Sequence, residues 1–294
     1  MDINLELYKV FYFVATSSNF SEAAKKLFIS QSAVSQSIKT LESKLGTTLF
    51  FRNTKKVSLS KEGELLFKHI EPAFNLIKTA ERNISDVNTF TRGEIHIGAS
   101  DTICKYYLLP YFKQFHKLYP HIHIEVTNRT STKCVDLLKQ SKVDLIITNL
   151  PNEDISSYME IRTVSSFKDV FVASSNFINL KEKEISIKEL ENHPLLMLEK
   201  NTTTRVFFDN FIKNFNFNIK PDVELGSIDL LIELARISLG ISFVPDYCFN
   251  DTNNLKDLFI LNIKEQLPIR KLAVVTNKNI PLSVASKKFI ELMD

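Results

Sequence analysis

Five polar side chains around residue 35 have the types and the spacing needed to contact the edges of DNA bases. If this stretch is a helix, Ser32, Gln36 and Lys39 cluster on one face with Ser35 beside them. Glutamine can pair with adenine, and lysine with guanine, in the major groove. The pattern therefore predicts a base-reading surface. Its members are Gln31, Ser32, Ser35, Gln36 and Lys39.

A second set of side chains carries hydroxyl groups at the points where predicted strands end and predicted helices begin. The carboxyl ends of strands in open α/β sheets bind ligands, and helix N-termini there supply free N–H groups. Serine and threonine are also common helix N-caps, so a purely structural role for each one stays open. Arg205, on the last of these helices, could add a positive charge or point to solvent. The set comprises Ser100, Thr102, Ser131, Thr148, Thr202, Thr203 and Thr204.

Other reactive groups do not form a recognisable catalytic or metal site. His121 and His123 could share one strand face, but a spaced third ligand is missing. No nucleophile motif or phosphate-binding glycine loop appears, so we expect neither an enzyme nor a bound cofactor. Cys104, Cys134 and Cys248 lie far apart along the chain and give neither a zinc pattern nor a disulfide framework. A thiol switch between Cys104 and Cys134 remains an alternative to their burial as small apolar side chains.

Three short helical runs between residues 4 and 46 position the base-reading surface. Ser21 is placed to cap the second helix and Ser30 the third. The inner stripe of the first helix comprises Phe11, Val14 and Ala15. The third helix has a stripe at spacings typical of one buried face, and its members are Val34, Ile38, Leu41 and Leu45.

A basic hairpin follows these helices. Two short apolar segments, 49–52 and 57–59, flank a polar turn, which predicts a two-stranded wing. Residues 1–60 carry eight basic and four acidic side chains, although the whole chain has a net charge of only +3. The helix face alone is more typical of a solvated helix on any small bundle, but the wing and the charge reverse this and favour a polyanion partner. The side chains expected to hold phosphate or to enter the minor groove are Arg52, Thr54, Lys55 and Lys56.

A heptad pattern occupies the second stretch, from Ser60 to about Phe90. Apolar residues recur at alternating spacings of four and three, which predicts a coiled-coil seam and pairing with a second chain rather than intrachain burial. Pro72 interrupts the pattern and predicts a kink or a helix restart. The seam comprises Leu66, Ile70, Ala73, Ile77, Ala80, Ile84 and Val87.

From Arg92 onward, short β-rich runs alternate with amphipathic helices. Strands at 94–98, 122–127 and 143–148, with two helices between them, predict a parallel βαβαβ unit. Further strands are predicted at 169–173, 195–198, 222–225, 241–244 and 270–276. This number exceeds what one compact sheet needs, so two α/β lobes with a cleft between them fit better.

The ordered residues of the first stretch resemble those of a known family. They read Phe11-x-x-Val14-Ala15, then Asn19-Phe20-x-x-Ala23-Ala24-x-x-Leu27-x-x-Ser30-Gln31-Ser32-Ala33-Val34-Ser35-x-x-Ile38-x-x-Leu41-Glu42-x-x-Leu45-Gly46-x-x-Leu49-Phe50-x-Arg52. This pattern closely resembles the winged helix-turn-helix of LysR-type transcriptional regulators. Tyr8 and Phe51 depart from the usual residues, and both are packing changes. A second, looser resemblance to a sequence motif of the same family is found in Gly240-Ile241-x-Phe243-Val244-Pro245.

The resemblance implies a domain order and a function. It implies a winged helix-turn-helix at 1–60, a dimerising linker helix at 61–90 and a periplasmic-binding-protein-like effector domain at 91–294. The chain would cross to the second lobe (about 164–266) near Thr163 and return near Leu267, so that the first lobe comprises about 91–163 and 267–294. The family pattern also places effector contacts at the hydroxyl set. A homotetramer on promoter DNA, controlled by a small anionic or zwitterionic effector, is expected on the same ground.

Composition limits the remaining classes. The 294 residues suggest two domains, and 44% hydrophobic residues can build sizeable cores. No apolar run approaches the roughly 18 residues that span a membrane, and the N-terminus lacks the pattern of a secretory signal, so we expect a cytoplasmic protein. Two alternatives remain. One is a thiol-based redox regulator, and the other is a solute-binding protein on the same two-lobed fold, which the missing signal and the basic module oppose.

Overall fold

The computed structural model describes residues 2–53, 56–89, 93–215 and 219–293. Contacts between Cα atoms divide the chain into two compact units, residues 1–81 and 82–294. Each unit has its own buried core. We describe each unit separately below.

Three helices form the core of the first unit: α1 (Leu5–Ser17), α2 (Phe20–Leu27) and α3 (Gln31–Leu45). Ser30 caps α3 as predicted, and its Oγ accepts a hydrogen bond from the Ala33 N–H at 3.2 Å. The predicted cap Ser21 is wrong, because Asn19 is the last residue with extended backbone before α2. The Asn19 side chain accepts hydrogen bonds from the N–H groups of Ser21 and Glu22.

The predicted stripe of α3 is buried except at its end. Val34, Ile38 and Leu41 have no exposed surface, whereas Leu45 is 38% exposed. Leu45 is the last helical residue, and Gly46 then adopts the left-handed backbone that glycine tolerates best, with φ +68°. The buried stripe is therefore one residue shorter than the periodicity predicts.

The predicted wing is a two-stranded antiparallel hairpin of β1 (Phe50–Asn53) and β2 (Lys56–Leu59). The Glu42 carboxylate supports its first strand by accepting hydrogen bonds from the N–H groups of Leu49 at 2.8 Å and Phe50 at 3.3 Å. Because Glu42 belongs to α3, the hairpin is fixed to the helix that carries the base-reading face.

A single long helix, α4 (Lys61–Thr89), follows the wing. Ser60 joins the two, since its Oγ donates to the Thr48 carbonyl at 2.6 Å and accepts from the Gly63 N–H at 2.9 Å. A Cβ atom at Gly63 would overlap the Leu49 carbonyl oxygen. Glycine at this position lets α4 pack directly against the wing.

The helix α4 continues through Pro72, so of the two predicted outcomes the restart is wrong, and the kink stays a prediction. Contacts on the far side of the proline offset its missing backbone hydrogen bond: the Phe74 ring stacks on Tyr12 at 5.2 Å, and Lys78 Nζ donates to the Tyr12 hydroxyl at 3.3 Å. Leu66 and Ile70 are already half-buried against the core of the first unit. The side chain of Val87 lies outside the described residues. The exposed part of the seam is Ala73, Ile77, Ala80 and Ile84.

The second unit begins with alternating strands and helices. These are β3 (Gly93–Ala99), α5 (Asp101–Ile103), a π-helical turn (Cys104–Leu108), α6 (Leu109–Leu118), β4 (Ile122–Asn128), α7 (Ser131–Lys139), β5 (Leu145–Leu150) and β6 (Met159–Phe167). The next elements are β7 (Asp169–Ser174), β8 (Glu184–Ile185), β9 (Leu195–Leu198), α8 (Thr203–Ile212), β10 (Val223–Leu225) and α9 (Ile228–Arg236). The last are β11 (Ile241–Pro245), β12 (Leu258–Ile260), β13 (Asn262–Ile263), β14 (Arg270–Asn277) and α10 (Val284–Glu291).

Ten of the twelve strands described in this unit build two five-stranded sheets, which form the two lobes, and β8 and β13 pair separately. The first sheet has the order β4-β3-β5-β14-β6, and the second has the order β10-β9-β11-β7-β12. The predicted parallel βαβαβ unit is confirmed in β3, β4 and β5. The first sheet as a whole is mixed, because β14 runs antiparallel to both of its neighbours.

The chain passes between the sheets at two points. The first lies at Lys168, between β6 and β7, and the second precedes Arg270 at the start of β14. The predicted crossing near Thr163 is too early, because β6 continues to Phe167. Sequence periodicity did not find β6, since this edge strand is exposed along most of its length and lacks a buried alternation.

Candidate functional site

The predicted base-reading surface of α3 is solvent-accessible. Gln31, Ser32, Gln36 and Lys39 are exposed, and Ser35 is half-buried beside them. Ser32, Gln36 and Lys39 lie opposite the buried Val34 stripe, as the periodicity predicts. In a helix-turn-helix, the N-terminal part of the second helix contacts base edges. The exposed polar side chains of α3 begin at its first residue.

Hydrogen bonds orient the first turn of this face. Ser21 Oγ of α2 donates to Gln31 Oε1 at 2.9 Å, and this leaves the Gln31 amide nitrogen as its free donor. The hydroxyls of Ser30 and Ser32 lie 2.9 Å apart. The turn between α2 and α3 also presents Phe28, which is 95% exposed and was not anticipated from the sequence.

The predicted phosphate contacts belong to the wing. Arg52 lies in β1 opposite Val57, and Lys56 lies in β2 opposite Asn53. Thr54 and Lys55 form the tip and lie outside the described residues, as do the side chains of Arg52 and Lys56. Their role stays a prediction from sequence.

Six of the seven predicted hydroxyl residues line one cavity of about 60 Å³ in the second unit. Helix starts from both lobes position them. Ser100 caps the segment that begins with α5, and Thr202 caps α8. The six are Ser100, Thr102, Ser131, Thr202, Thr203 and Thr204.

Thr148 does not line this cavity. It is fully buried, and its Oγ1 accepts a hydrogen bond from Asn152 Nδ2 at 3.1 Å. The strand β5 continues to Leu150, two residues beyond its predicted end, and the next residue, Asn149, lines the cavity instead. The sequence analysis also missed Thr130 and Tyr247, which follow predicted strands but were not among the hydroxyls singled out.

Within the described part of the chain, no charged side chain lines the cavity. Arg205 is buried and engaged elsewhere: its Nε lies 2.8 Å from Asp209 Oδ1, and one Nη lies 3.0 Å from Glu224. Arg205 was predicted either to contact the ligand or to point to solvent, and both predictions are wrong. An anion bound here would be held by hydroxyls and backbone N–H groups.

A buried arginine reaches the cavity indirectly. Arg270 Nη1 donates to Thr204 Oγ1 at 3.1 Å and to Asp169 Oδ2 at 2.9 Å. Because the Thr204 oxygen accepts from arginine, its own proton is available to a ligand. Thr204 can thus donate a hydrogen bond to a ligand while its oxygen accepts one from the positively charged Arg270 guanidinium.

Side chains from opposite lobes also meet beside the cavity. The Tyr106 hydroxyl donates to the Asp229 carboxylate at the start of α9, and Lys105 Nζ lies 3.0 Å from the same carboxylate. Burial raises the pKa of Tyr106, and the hydrogen bond to Asp229 raises it further. The phenol consequently stays protonated and links the two lobes.

The cysteines are poorly suited to thiol chemistry. Burial raises the pKa of Cys104 to about 11 and that of Cys134 to about 12. Since the thiolate is the reactive form, these groups behave as small buried side chains. Cys248 is also buried, and its pKa is raised for the same reason.

The described residues include neither a metal-binding cluster nor a membrane-spanning helix. No group of three or more histidine, cysteine or carboxylate side chains among them is arranged to hold a metal ion. His121 and His123 are both exposed. None of the described helices combines the length and the apolar character needed to cross a membrane.

Two family models match consecutive parts of the chain. Residues 5–64 match the bacterial regulatory helix-turn-helix protein, lysR family, and residues 89–294 match the LysR substrate binding domain. The chain belongs to the LysR family. The LysR-type protein is accordingly a DNA-binding transcriptional regulator with a C-terminal effector-binding domain.

Curated relatives of similar length support this assignment. The chain is 28% identical over 284 residues to a probable RuBisCO transcriptional regulator of Trieres chinensis, covering 94% of this chain and 92% of that protein. It is also 28% identical over 275 residues to the regulator CysL of Bacillus subtilis, covering 92% and 90%. Both are named as transcriptional regulators rather than as enzymes.

Solved structures of LysR-type proteins share the fold. A full-length variant of OxyR from Pseudomonas aeruginosa superposes with a TM-score of 0.71 at 18% identity, covering 100% of this chain and 94% of that chain. Full-length CbnR in complex with its target DNA gives 0.67 at 16% identity, covering 98% of each chain.

Proposed function

We propose that this LysR-type regulator reads promoter DNA with the exposed face of α3 and responds to a small anionic or zwitterionic effector bound in the 60 Å³ cavity. One observation carries the proposal. The cavity is lined by hydroxyls and helix starts from both lobes and contains no charged lining side chain among the described residues. A ligand that contacts both lobes favours the arrangement in which they are close, and only such a difference in affinity can change the DNA-bound state.

The DNA-binding part of the proposal rests on the first unit. Gln31, Ser32, Ser35, Gln36 and Lys39 would contact bases, and the wing residues Arg52, Thr54, Lys55 and Lys56 would contact phosphates. CbnR, which shares this fold, has been solved with its target DNA. The excess of basic over acidic side chains in residues 1–60 is consistent with DNA as the partner.

The assembly is proposed from the exposed seam of α4. Ala73, Ile77, Ala80 and Ile84 form an apolar line that this chain leaves uncovered. Pairing with a second copy would bury it as a coiled coil and place two recognition helices on one DNA face. A dimer of such dimers gives the homotetramer.

The alternative of a thiol-based redox regulator is less favoured. Cys104 is partly buried and Cys134 is buried, and the raised pKa of each thiol suppresses the reactive thiolate. The likeness to OxyR supports a shared fold and nothing about its chemistry.

A direct experiment combines DNA binding with a ligand screen. The purified full-length protein should retard a fragment of the promoter upstream of its own gene more strongly than random DNA. A thermal-shift screen of small carboxylates, amino acids and inorganic anions should then raise its unfolding temperature for a few compounds. Those compounds should alter the promoter complex, and a screen without any stabilising anion would refute the effector proposal.

A further inference from the structure

The cavity contains one polar lining side chain of a different kind. Apart from its apolar residues and Gly226, the side chains that line it carry hydroxyl groups, except for Asn149. A hydroxyl can either donate or accept a hydrogen bond, so it adapts to a ligand of either kind. The amide oxygen of asparagine can only accept. Asn149 is therefore the polar group in this lining that can discriminate between ligands.

Only one of the two polar atoms of the Asn149 side-chain amide has a hydrogen-bond partner. Its Nδ2 donates to Tyr247 Oη at 3.5 Å, whereas its Oδ1 has no hydrogen-bond partner. The side chain is 6% exposed and lines the cavity, so the missing donor has to come from a molecule enclosed there. Asn149 also lies on β5, where its backbone is paired with Leu272 of β14, so the residue is held in place. A buried acceptor without a partner is costly, and native structures seldom keep one without a reason.

We propose that Asn149 selects effectors that carry a hydrogen-bond donor next to their anionic group. This inference rests on the proposed effector site. The anionic group would be held by the hydroxyls, including the Thr204 hydroxyl that Arg270 supports, and the donor would be directed to Asn149 Oδ1. The ligand class is a small hydroxy- or amino-carboxylate, or a protonated oxyanion.

The size of the cavity supports a compact ligand. A site needs about 10–15 Å³ of such volume to hold one water molecule. At 60 Å³, the cavity accommodates a ligand of only a few non-hydrogen atoms. A molecule of this size brings its donor and its anionic group within one or two bonds of each other, so both can be bound at once.

Two matched pairs of probes differ in whether the ligand carries a hydrogen-bond donor. Glycolate and propionate have equal numbers of non-hydrogen atoms and one carboxylate each, but only glycolate carries a hydroxyl. Phosphate and sulfate have the same shape, but only phosphate keeps a protonated oxygen near pH 7.5. Calorimetric titration of the full-length protein with each probe should show glycolate bound at least tenfold more tightly than propionate, and phosphate at least tenfold more tightly than sulfate.

Substitution of the amide should remove this preference. Asn149→Leu has a similar volume and no acceptor, so both affinity ratios should fall to near one. Asn152→Leu is the matched control, because Asn152 is a nearby amide outside the lining, and its ratios should equal those of the wild type. The wild-type ratios test the proposal even where a variant fails to fold.

The outcomes distinguish the inference from the proposed function. Equal binding within both pairs overturns the role of Asn149 but leaves the cavity as an anion site. A preference for propionate and sulfate places the amide nitrogen toward the ligand and also overturns it. If folded protein binds none of the four probes, the proposed small-anion site and the inference fail together. An unchanged ratio in Asn149→Leu assigns the selectivity to another group.

Discussion

Arg270 and Asp169 form a fully buried ion pair in which Nη1 lies 2.9 Å from Oδ2. Each residue is the first of the strand that follows a crossing between the lobes, Asp169 in β7 and Arg270 in β14. The guanidinium also lies 5.0 Å from the Phe167 ring centre and 4.7 Å from that of Phe207. Burial raises the pKa of Asp169, while the charge of Arg270 opposes that rise. The ion pair therefore connects the two chain segments that cross between the lobes.

Removal of the arginine should destabilise the protein strongly. Arg270→Leu leaves the Asp169 carboxylate buried without a partner, and we expect a loss of about 3–5 kcal/mol in the free energy of unfolding. The double variant Asp169→Leu with Arg270→Leu should recover much of this, since it buries no charge. Urea denaturation followed by circular dichroism measures both.

The exposed pair Lys288–Glu291 provides the control, with a separation of 2.8 Å between its charged atoms. Lys288→Ala should leave the free energy of unfolding almost unchanged, because solvent screens the pair. A similar small effect for Arg270→Leu would show that the buried pair does not hold the crossings together.

Base reading by α3 should be separable from phosphate binding by the wing. Gln36→Ala should cost about 1–3 kcal/mol on the cognate site and little on random DNA, because it removes a base contact. Lys55→Ala should weaken binding to all sequences and reduce the salt slope by about one. Fluorescence anisotropy on both DNAs at several salt concentrations tests this. Equal loss on the two DNAs for Gln36→Ala would exclude base reading.

The exposed seam of α4 should control oligomerisation. Ile77→Asp with Ile84→Asp places charges in the proposed interface, and light scattering should then report a smaller assembly. Lys68→Asp is the control, since this exposed residue lies on the same helix but off the seam. An unchanged mass for the seam variant would refute pairing through these residues.

The hydroxyls of the first lobe should be needed for the effector response. Ser100→Ala with Thr102→Ala should abolish the effect of a stabilising ligand on the promoter complex. DNA affinity without ligand should stay near the wild-type value, because neither residue belongs to the first unit. Ser100 also caps a helix, so measurements belong well below the unfolding temperature. A retained response would place the site elsewhere.

Thiol reactivity should be low at neutral pH. Burial and the nearby Asp101 charge raise the pKa of Cys104 from 9.0 to about 11, so its thiolate fraction at pH 7.5 falls roughly a hundredfold below that of a free thiol. Alkylation by iodoacetamide, followed by mass spectrometry, should be correspondingly slow and should accelerate as the pH approaches 11. Rapid labelling at pH 7.5, or loss of the effector response in Cys104→Ser, would revive the redox alternative.

Local patterns predicted the elements well where one face of a helix or strand is buried. The α3 stripe and the inner strands β3 and β5 are largely buried. The edge strand β6 is mostly exposed and gave no comparable signal. The other edge strand, β4, is also mostly exposed but was predicted from its alternating apolar residues. Burial therefore explains the prediction of the inner strands, whereas an edge strand is found only where its sequence alternates.

The candidate site was predicted to within one residue where strand ends decide it. Thr148 and Asn149 are adjacent, but their side chains alternate across β5, so a small error in the strand end selected the wrong one. Arg205 was misjudged for two reasons: its local i,i+4 pair with Asp209 on α8 was overlooked, and Glu224 comes close to it only in the folded chain. The contacts of Arg270 depend on the same kind of long-range proximity.

The close packing at Gly63 makes the wing and the start of α4 one mechanical part. A helix of 29 residues is about 43 Å long at 1.5 Å per residue. Gly63, near the start of α4, has no side chain, so no flexible group separates the helix from the wing. A tilt of about 10° at this base would displace the far end by roughly 7 Å, by the same helix geometry. Because the Leu49 carbonyl packs directly on Gly63, a rotation of the wing would turn the first turn of α4 with it.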